Sequence, residues 1–189
     1  MAREKKNNYV ILGLLSHTTM TGYEIKKRLE TTMRFFWNAS YGSIYPTLQE
    51  LEEEGKISSV KSNENGRDKI TYRITENGRT DLQEWLKKGD LKDELRYETL
   101  VKLFFGSEVG ADVTIGHIQE FEDKIRKDLP LLQGAVAQLK QFDEEDAHKY
   151  YMVTAKFGVK VYEAYLEWCE ETKNYLTEEV SGKEGAKDE

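Results

Sequence analysis

The chain is poor in the residues on which many functions depend. Its 189 residues include one cysteine, Cys169, two prolines and three histidines. A single thiol cannot close an internal disulfide, so nothing argues for an oxidising compartment. His17, His117 and His148 are widely separated and show no ligand spacing, so neither a metal site nor a cofactor is expected. A glycine-rich phosphate loop and a serine elbow are also missing. Cys169 lies in an aromatic stretch with no histidine nearby in sequence, which reads as a buried thiol and not a nucleophile. An enzyme is therefore not expected. The apolar run at 9–15 (YVILGLL) falls far short of the roughly 20 residues needed to span a bilayer, and the start does not read as a signal peptide. These absences predict a soluble, cytoplasmic protein without a membrane partner.

What is present is polar but not featureless. Hydrophobic residues make up 38% and charged residues 33%, yet 11 Tyr, 7 Phe and 3 Trp argue against disorder. The net charge of −7 counts against nucleic-acid binding until its distribution is read. Residues 1–88 hold 15 Lys/Arg against 12 Asp/Glu, whereas residues 89–189 hold 13 against 23. A basic first part joined to an acidic second part points to DNA contact by the first alone.

Hydrophobic spacing predicts a helix over about 5–16, with Val10, Ile11, Leu14 and Leu15 as its apolar stripe. Thr21-Gly22-Tyr23-Glu24 has capping-box spacing and opens a second helix running to about Thr31. After a connector at Met33–Ala39, Ser43 is expected to cap a third helix, with Pro46 at its third position. Ile44, Leu48 and Leu51 form the buried stripe of that helix, and Gly55 ends it. Extended runs at 56–62 and 69–75 flank Asn65-Gly66, a strong hairpin signal. In the second run Ile70, Tyr72 and Ile74 alternate with Lys69, Thr71 and Arg73. A fourth helix follows at 76–87, with Leu82, Trp85 and Leu86 inward. The order is that of a winged helix-turn-helix.

Helices at 94–105, 112–142 and 147–177 account for the rest, with Pro130 expected to kink or split the second of these. The fold class is thus mainly α with a small β-hairpin. The domains are a winged helix-turn-helix at 1–88, an all-helical dimerisation and effector domain at 89–180, and a disordered tail at 181–189. Apolar steps of three and four residues through 115–139 have the spacing of a coiled-coil-like seam. Ile118, Ile125, Leu132 and Leu139, with Val161, Tyr165 and Trp168 on the last helix, are the candidate homodimer contacts.

Double-stranded DNA is the expected partner, and the third helix is its expected reader. Residues 40–49 carry no acid, but Glu50, Glu52, Glu53 and Glu54 crowd the far end of the helix. Phosphates repel four carboxylates, so only the leading half can enter a groove, where the helix dipole and free amides favour anions. Tyr41, Gly42, Ser43, Tyr45, Pro46, Thr47 and Gln49 are the candidate contacts there. Lys61, Arg67, Lys69 and Arg73 on the hairpin can track the backbone, with Lys26 on the second helix a less specific candidate. A winged-helix module that binds protein instead of DNA is the alternative, supported by the overall acidity. Basic residues around a single turn speak against it.

YVILGLL (9–15), GYEIKKRLE (22–30), Trp37, SYGSIYPTLQELEEEGKI (40–57), YRITENGRTDLQEWL (72–86) and LRYETLVKLFF (95–105) resemble the PadR family of transcriptional regulators. The resemblance covers the whole winged domain. It implies a dimeric repressor, although some members activate, that binds a pseudo-palindromic operator. The chain length matches members with a full helical C-terminal domain. Lys56 departs from the family, which more often has an apolar residue after the glycine. The resemblance also admits a small aromatic effector, with phenolic acids and drug-like aromatics as the known classes. Trp37 and the aromatic last helix are the candidates to line a cavity for it between the domains. The plainer reading is that these rings fill the core or the dimer interface.

Overall fold

The computed structural model describes residues 6–37, 41–64, 67–89, 93, 96–142 and 146–185. The chain divides into two compact units, Met1–Asp93 and Glu94–Glu189.

In the first unit, α1 (Lys6–Leu15) buries Ile11, Leu12 and Leu15. Tyr9 on α1 stacks on Trp85 of α4 (Glu76–Lys87) with ring centroids 4.7 Å apart. The capping box forms as its spacing predicts. The Glu24 amide donates to the Thr21 hydroxyl (3.2 Å), and the Thr21 amide donates to the Glu24 carboxylate (2.7 Å). These bonds start α2 (Gly22–Arg28), which runs on into a π-helical turn at Leu29–Met33.

The start of the third helix differs from the expectation. A 3₁₀ turn at Tyr41–Ser43 leads straight into α3 (Ile44–Glu53), so Ser43 already has helical φ and ψ. An N-cap side chain reaches its amide from extended backbone, and Ser43 makes no such bond. The end of α3 follows the rule for glycine. Gly55 takes φ of 67°, the Gly55 amide donates to the Glu52 carbonyl, and the Lys56 amide donates to the Leu51 carbonyl.

Strands β2 (Ile57–Glu64) and β3 (Arg67–Ile74) pair antiparallel with Glu64 opposite Arg67. This register leaves two residues for the connection. They are Asn65 and Gly66, which lie outside the described residues. A further short strand, β1 (Met20–Thr21), pairs with Tyr72 and Thr71, so β3 is the middle of a three-stranded sheet ordered β1-β3-β2. Two residues carry no readable period, and for that reason β1 was invisible in the sequence. Ile25, Leu48, Leu51 and Ile57 close the core between helices and sheet. Leu86 does not join them. It is 65% exposed, because Gly78, Leu82 and Trp85 take the inward side of α4.

The second unit is helical. It comprises α5 (Glu98–Phe104), a 3₁₀ turn at Gly106–Glu108, α6 (Ala111–Leu139) and α7 (Asp146–Gly185). Pro130 lies inside α6 without splitting it. It costs one main-chain bond, while buried Ile125 and Leu132 hold the helix on either side. Helix α7 runs to Gly185, past residue 181 where the disordered tail was expected to begin, and residues 186–189 lie outside the described set.

Helices α6 and α7 run antiparallel, since Phe121 meets Tyr165 and Trp168 while Leu132 lies at Gly158. Between them sits a buried carboxylate, Glu122, bonded to Arg126 and to Lys173. Among the described residues, no helix is long and apolar enough to cross a membrane.

Candidate nucleic-acid interface

The α3 stripe of Ile44, Leu48 and Leu51 is turned into the core, which fixes what the opposite side offers. Gly42, Tyr45, Pro46 and Gln49 are exposed and recur at steps of three and four, forming one continuous strip. Ser43 is half-buried at the margin of the strip. Thr47 must be corrected: it is only 7% exposed and packs inward beside Leu48, so it offers nothing to a groove. Tyr41 opens the 3₁₀ turn, and its side chain lies outside the described set.

Tyr45, 61% exposed, lies across the first turn of α2. A Cβ on Gly22 would stand 2.7 Å from its ring, so the glycine gives the ring its seat. Gln49 donates to Glu53 (2.9 Å), so that side chain must exchange a partner before it can reach a base.

The strand register sorts the wing cations. Directly opposed residues share a face, so Lys61 goes with Ile70, whereas Lys69 and Arg73 lie on the other side with Ser62 and Ser58. Lys61 is therefore separated from the other two, although all three are exposed. Arg73 donates to the Ser58 hydroxyl (3.0 Å). The Thr21 bonds chiefly hold the Glu24 carboxyl below its ordinary range, and the charge of Lys69 adds to this. Lys69 thus stands near the opening turn of α2, placed there by the β1–β3 pairing. Arg67 stands opposite Glu64 in the strand register, and its side chain lies outside the described set. Lys26 is half-buried and paired with Glu30 at 3.6 Å, which uses its charge locally.

The acidic end of α3 is more than a repulsive surface. The Glu52 carboxylate accepts from the Ser59 amide (3.0 Å) and so ties α3 to the base of the wing. Lys56 pairs with both Glu54 and Asp81 at 2.8 Å. Burial works to lower the Lys56 pKa, but its bonds to Asp81 and Glu54 outweigh it and hold the ammonium above the ordinary lysine range. The lysine where an apolar residue was expected is thus the centre of an ion triad joining the end of α3 to α4.

Sequence reasoning passed over Tyr23, which is 67% exposed in the first turn of α2. The signal available was its place directly after the N-cap and glycine. Trp37 packs on the core of the first unit, and its indole N–H donates to Asn7 (3.1 Å).

In the second unit the expected dimer seam needs correction. Ile118, Ile125 and Leu132 are 0%, 3% and 4% exposed, buried within the α6–α7 layer of their own chain. Tyr165 and Trp168 pack with Phe121, and Tyr165 shares a 2.5 Å hydroxyl contact with Tyr97. Leu139 and Val161 are half-buried. Burial raises the Cys169 thiol pKa, which keeps it protonated. Among the described residues, no group of three His, Cys, Asp or Glu could hold a metal ion.

Residues 11–84 match the transcriptional regulator PadR-like family, and residues 95–177 match the virulence activator alpha C-terminal family. The negative transcriptional regulator PadR of Bacillus subtilis is 26% identical over 170 residues, covering 86% of this chain and 92% of the relative. Two solved structures of B. subtilis PadR share the fold at 23% identity. The complex with operator DNA has a TM-score of 0.80 and covers 93% of this chain and 100% of that one. The complex with p-coumaric acid has a TM-score of 0.68 and covers 90% and 98%. With a winged unit and a helical unit each matched in the expected order, the chain belongs to the PadR-like family of transcriptional regulators.

Proposed function

We propose that the protein is a dimeric repressor that binds an inverted-repeat operator and is released by a small aromatic effector. The observation that carries the DNA reading is the exposed strip of Gly42, Tyr45, Pro46 and Gln49 at the acid-free end of α3. In this reading the strip enters the major groove, while Lys69 and Arg73 follow the phosphate backbone. The operator and p-coumaric acid complexes of B. subtilis PadR support operator binding and an aromatic effector. The dimer contacts move away from the α6 seam. Phe104 and Phe105 at the end of α5, with Tyr150, Val153 and Phe157 on one face of α7, are 60–82% exposed and supply the apolar surface that a second copy covers.

Selection of bound duplexes from a random pool tests the reading. The expected product is an inverted repeat whose half-sites lie about one turn, roughly 34–36 Å, apart or a multiple of it. Tyr45→Ala should then weaken operator binding by about 1–3 kcal/mol if the ring bonds a base edge, with a smaller loss on random DNA. No enrichment, together with indifference to heparin at low salt, would leave the protein-binding alternative standing.

A further inference from the structure

Outside the exposed strip, one side chain joins three segments that the sequence keeps apart. Asn7 lies in the first turn of α1. Its Oδ1 accepts from the Trp37 indole N–H (3.1 Å), and its Nδ2 donates to the Ser43 hydroxyl (3.4 Å). The indole nitrogen can only donate, so it selects Oδ1, and the amide nitrogen is left facing Ser43. Ser43 is the last residue of the turn that leads into α3, and its side chain does not cap that helix. A cavity of about 10 Å³ lies beside this contact, bounded by Asn7, Ser43 and Thr47 with apolar Val10, Ile11, Leu29 and Ile44. It has room for about one water, so the packing of the start of α3 on α1 is incomplete at this point. The Asn7 contact spans the gap beside it.

We propose that Asn7 is a positioning residue that sets the pose of the leading turn of α3, with Trp37 fixing the orientation of its amide. The proposal rests on the reading that this turn meets DNA. It concerns a residue that itself faces the protein interior and touches no nucleic acid. Without the Asn7 tie the turn at Tyr41–Ser43 can shift or fray without unfolding the rest of the unit, because Ile44, Leu48 and Leu51 stay anchored in the core. Such a shift moves Tyr45 relative to the wing. It should reduce discrimination between sequences more than general attraction to phosphate, which depends on the wing cations.

The test uses the full-length protein with Asn7→Ala and Trp37→Phe, the second keeping an aromatic ring but removing the donor. Hydrogen exchange is read at the Thr47 and Leu48 amides, which in α-helical geometry reach back to the Ser43 and Ile44 carbonyls. Both variants should speed exchange there about tenfold and leave α4 amides unchanged. The double variant should do little more than either single one, as expected for residues acting through one contact. The ratio of operator to random-duplex affinity should fall by a similar factor, while heparin retention stays the same. Wild-type exchange at Thr47 and Leu48 in both variants would overturn the proposal, as would a uniform rise across the unit. If the wild-type protein prefers no duplex, the DNA reading fails by itself, and the exchange data still decide what Asn7 does.

Discussion

The winged unit and the helical unit bury their apolar residues in different ways. Among the described residues, eleven of the fifteen buried hydrophobic side chains belong to Met1–Asp93, and Glu94–Glu189 contributes only Ile118, Ile125, Leu132 and Cys169. In the first unit, helices pack around a small sheet and surround a core. In the second, the α6–α7 pair encloses one seam, and much of its remaining apolar surface lies outside that seam. That unit also places a carboxylate in its interior, while Phe104, Val153 and Phe157 stay exposed. The difference teaches that the first unit hides most of its apolar side chains within itself, whereas the second leaves large ones at its surface.

The sharpest way to break this comparison is to cut into both cores. Leu12→Ala should cost about 2–5 kcal/mol, a loss that does not depend on protein concentration. Ile125→Ala should cost a comparable amount, but with an unfolding midpoint that rises with concentration if a second copy completes the layer. Denaturant melts at two concentrations a hundredfold apart would show it. If both midpoints are fixed, the second unit stands alone and the comparison fails.

Next in size is the charge inside the helix pair. The bond from Lys173 chiefly holds the Glu122 carboxyl below its ordinary value of 4.5, with Arg126 adding to it against the opposing effect of burial. A carboxylate with a lowered folded pKa contributes stability that is present above its unfolded pKa. This stability disappears as the pH falls from about 4.5 through the lower folded value. Thermal melts from pH 7 to pH 3 should therefore show an acid-side loss that Glu122→Gln flattens. An unchanged profile would remove the carboxylate from the stability of the pair.

A smaller effect is expected on the wing. Lys69→Ala should weaken binding to all DNA and reduce the salt slope by about one per lost phosphate contact, whereas Lys61→Ala, on the opposite face, should do less. Equal losses would mean that both strand faces meet DNA. The smallest change belongs to Glu54→Gln. It removes one arm of the Lys56 triad, and a half-exposed pair of this kind is worth about 0–1 kcal/mol. Its effect on operator preference should be negligible.

Much of the fold was legible because it is local. The Thr21–Glu24 box, the turn at Gly55, the strand pair around Asn65-Gly66 and the stripe of Ile44, Leu48 and Leu51 each rest on residues a few positions apart. Backbone geometry decides such features before any distant segment arrives. The three-residue spacing from Gly42 to Tyr45 and the acid-free leading end of α3 marked the candidate interface in the same way. Other features depended on which distant neighbour came to pack. Thr47 turned inward because α1 covers its side of α3, and Ser43 lost its capping role to a 3₁₀ turn and a bond from Asn7, 36 residues away. Lys61 parted from Lys69 once register set the strand faces, and β1 existed only by pairing with β3. The heptad-like spacing of Ile118, Ile125 and Leu132 demanded a partner helix without saying whose. Only the folded chain assigned that place to α7, because burial of an apolar stripe requires a complementary surface but not a particular chain.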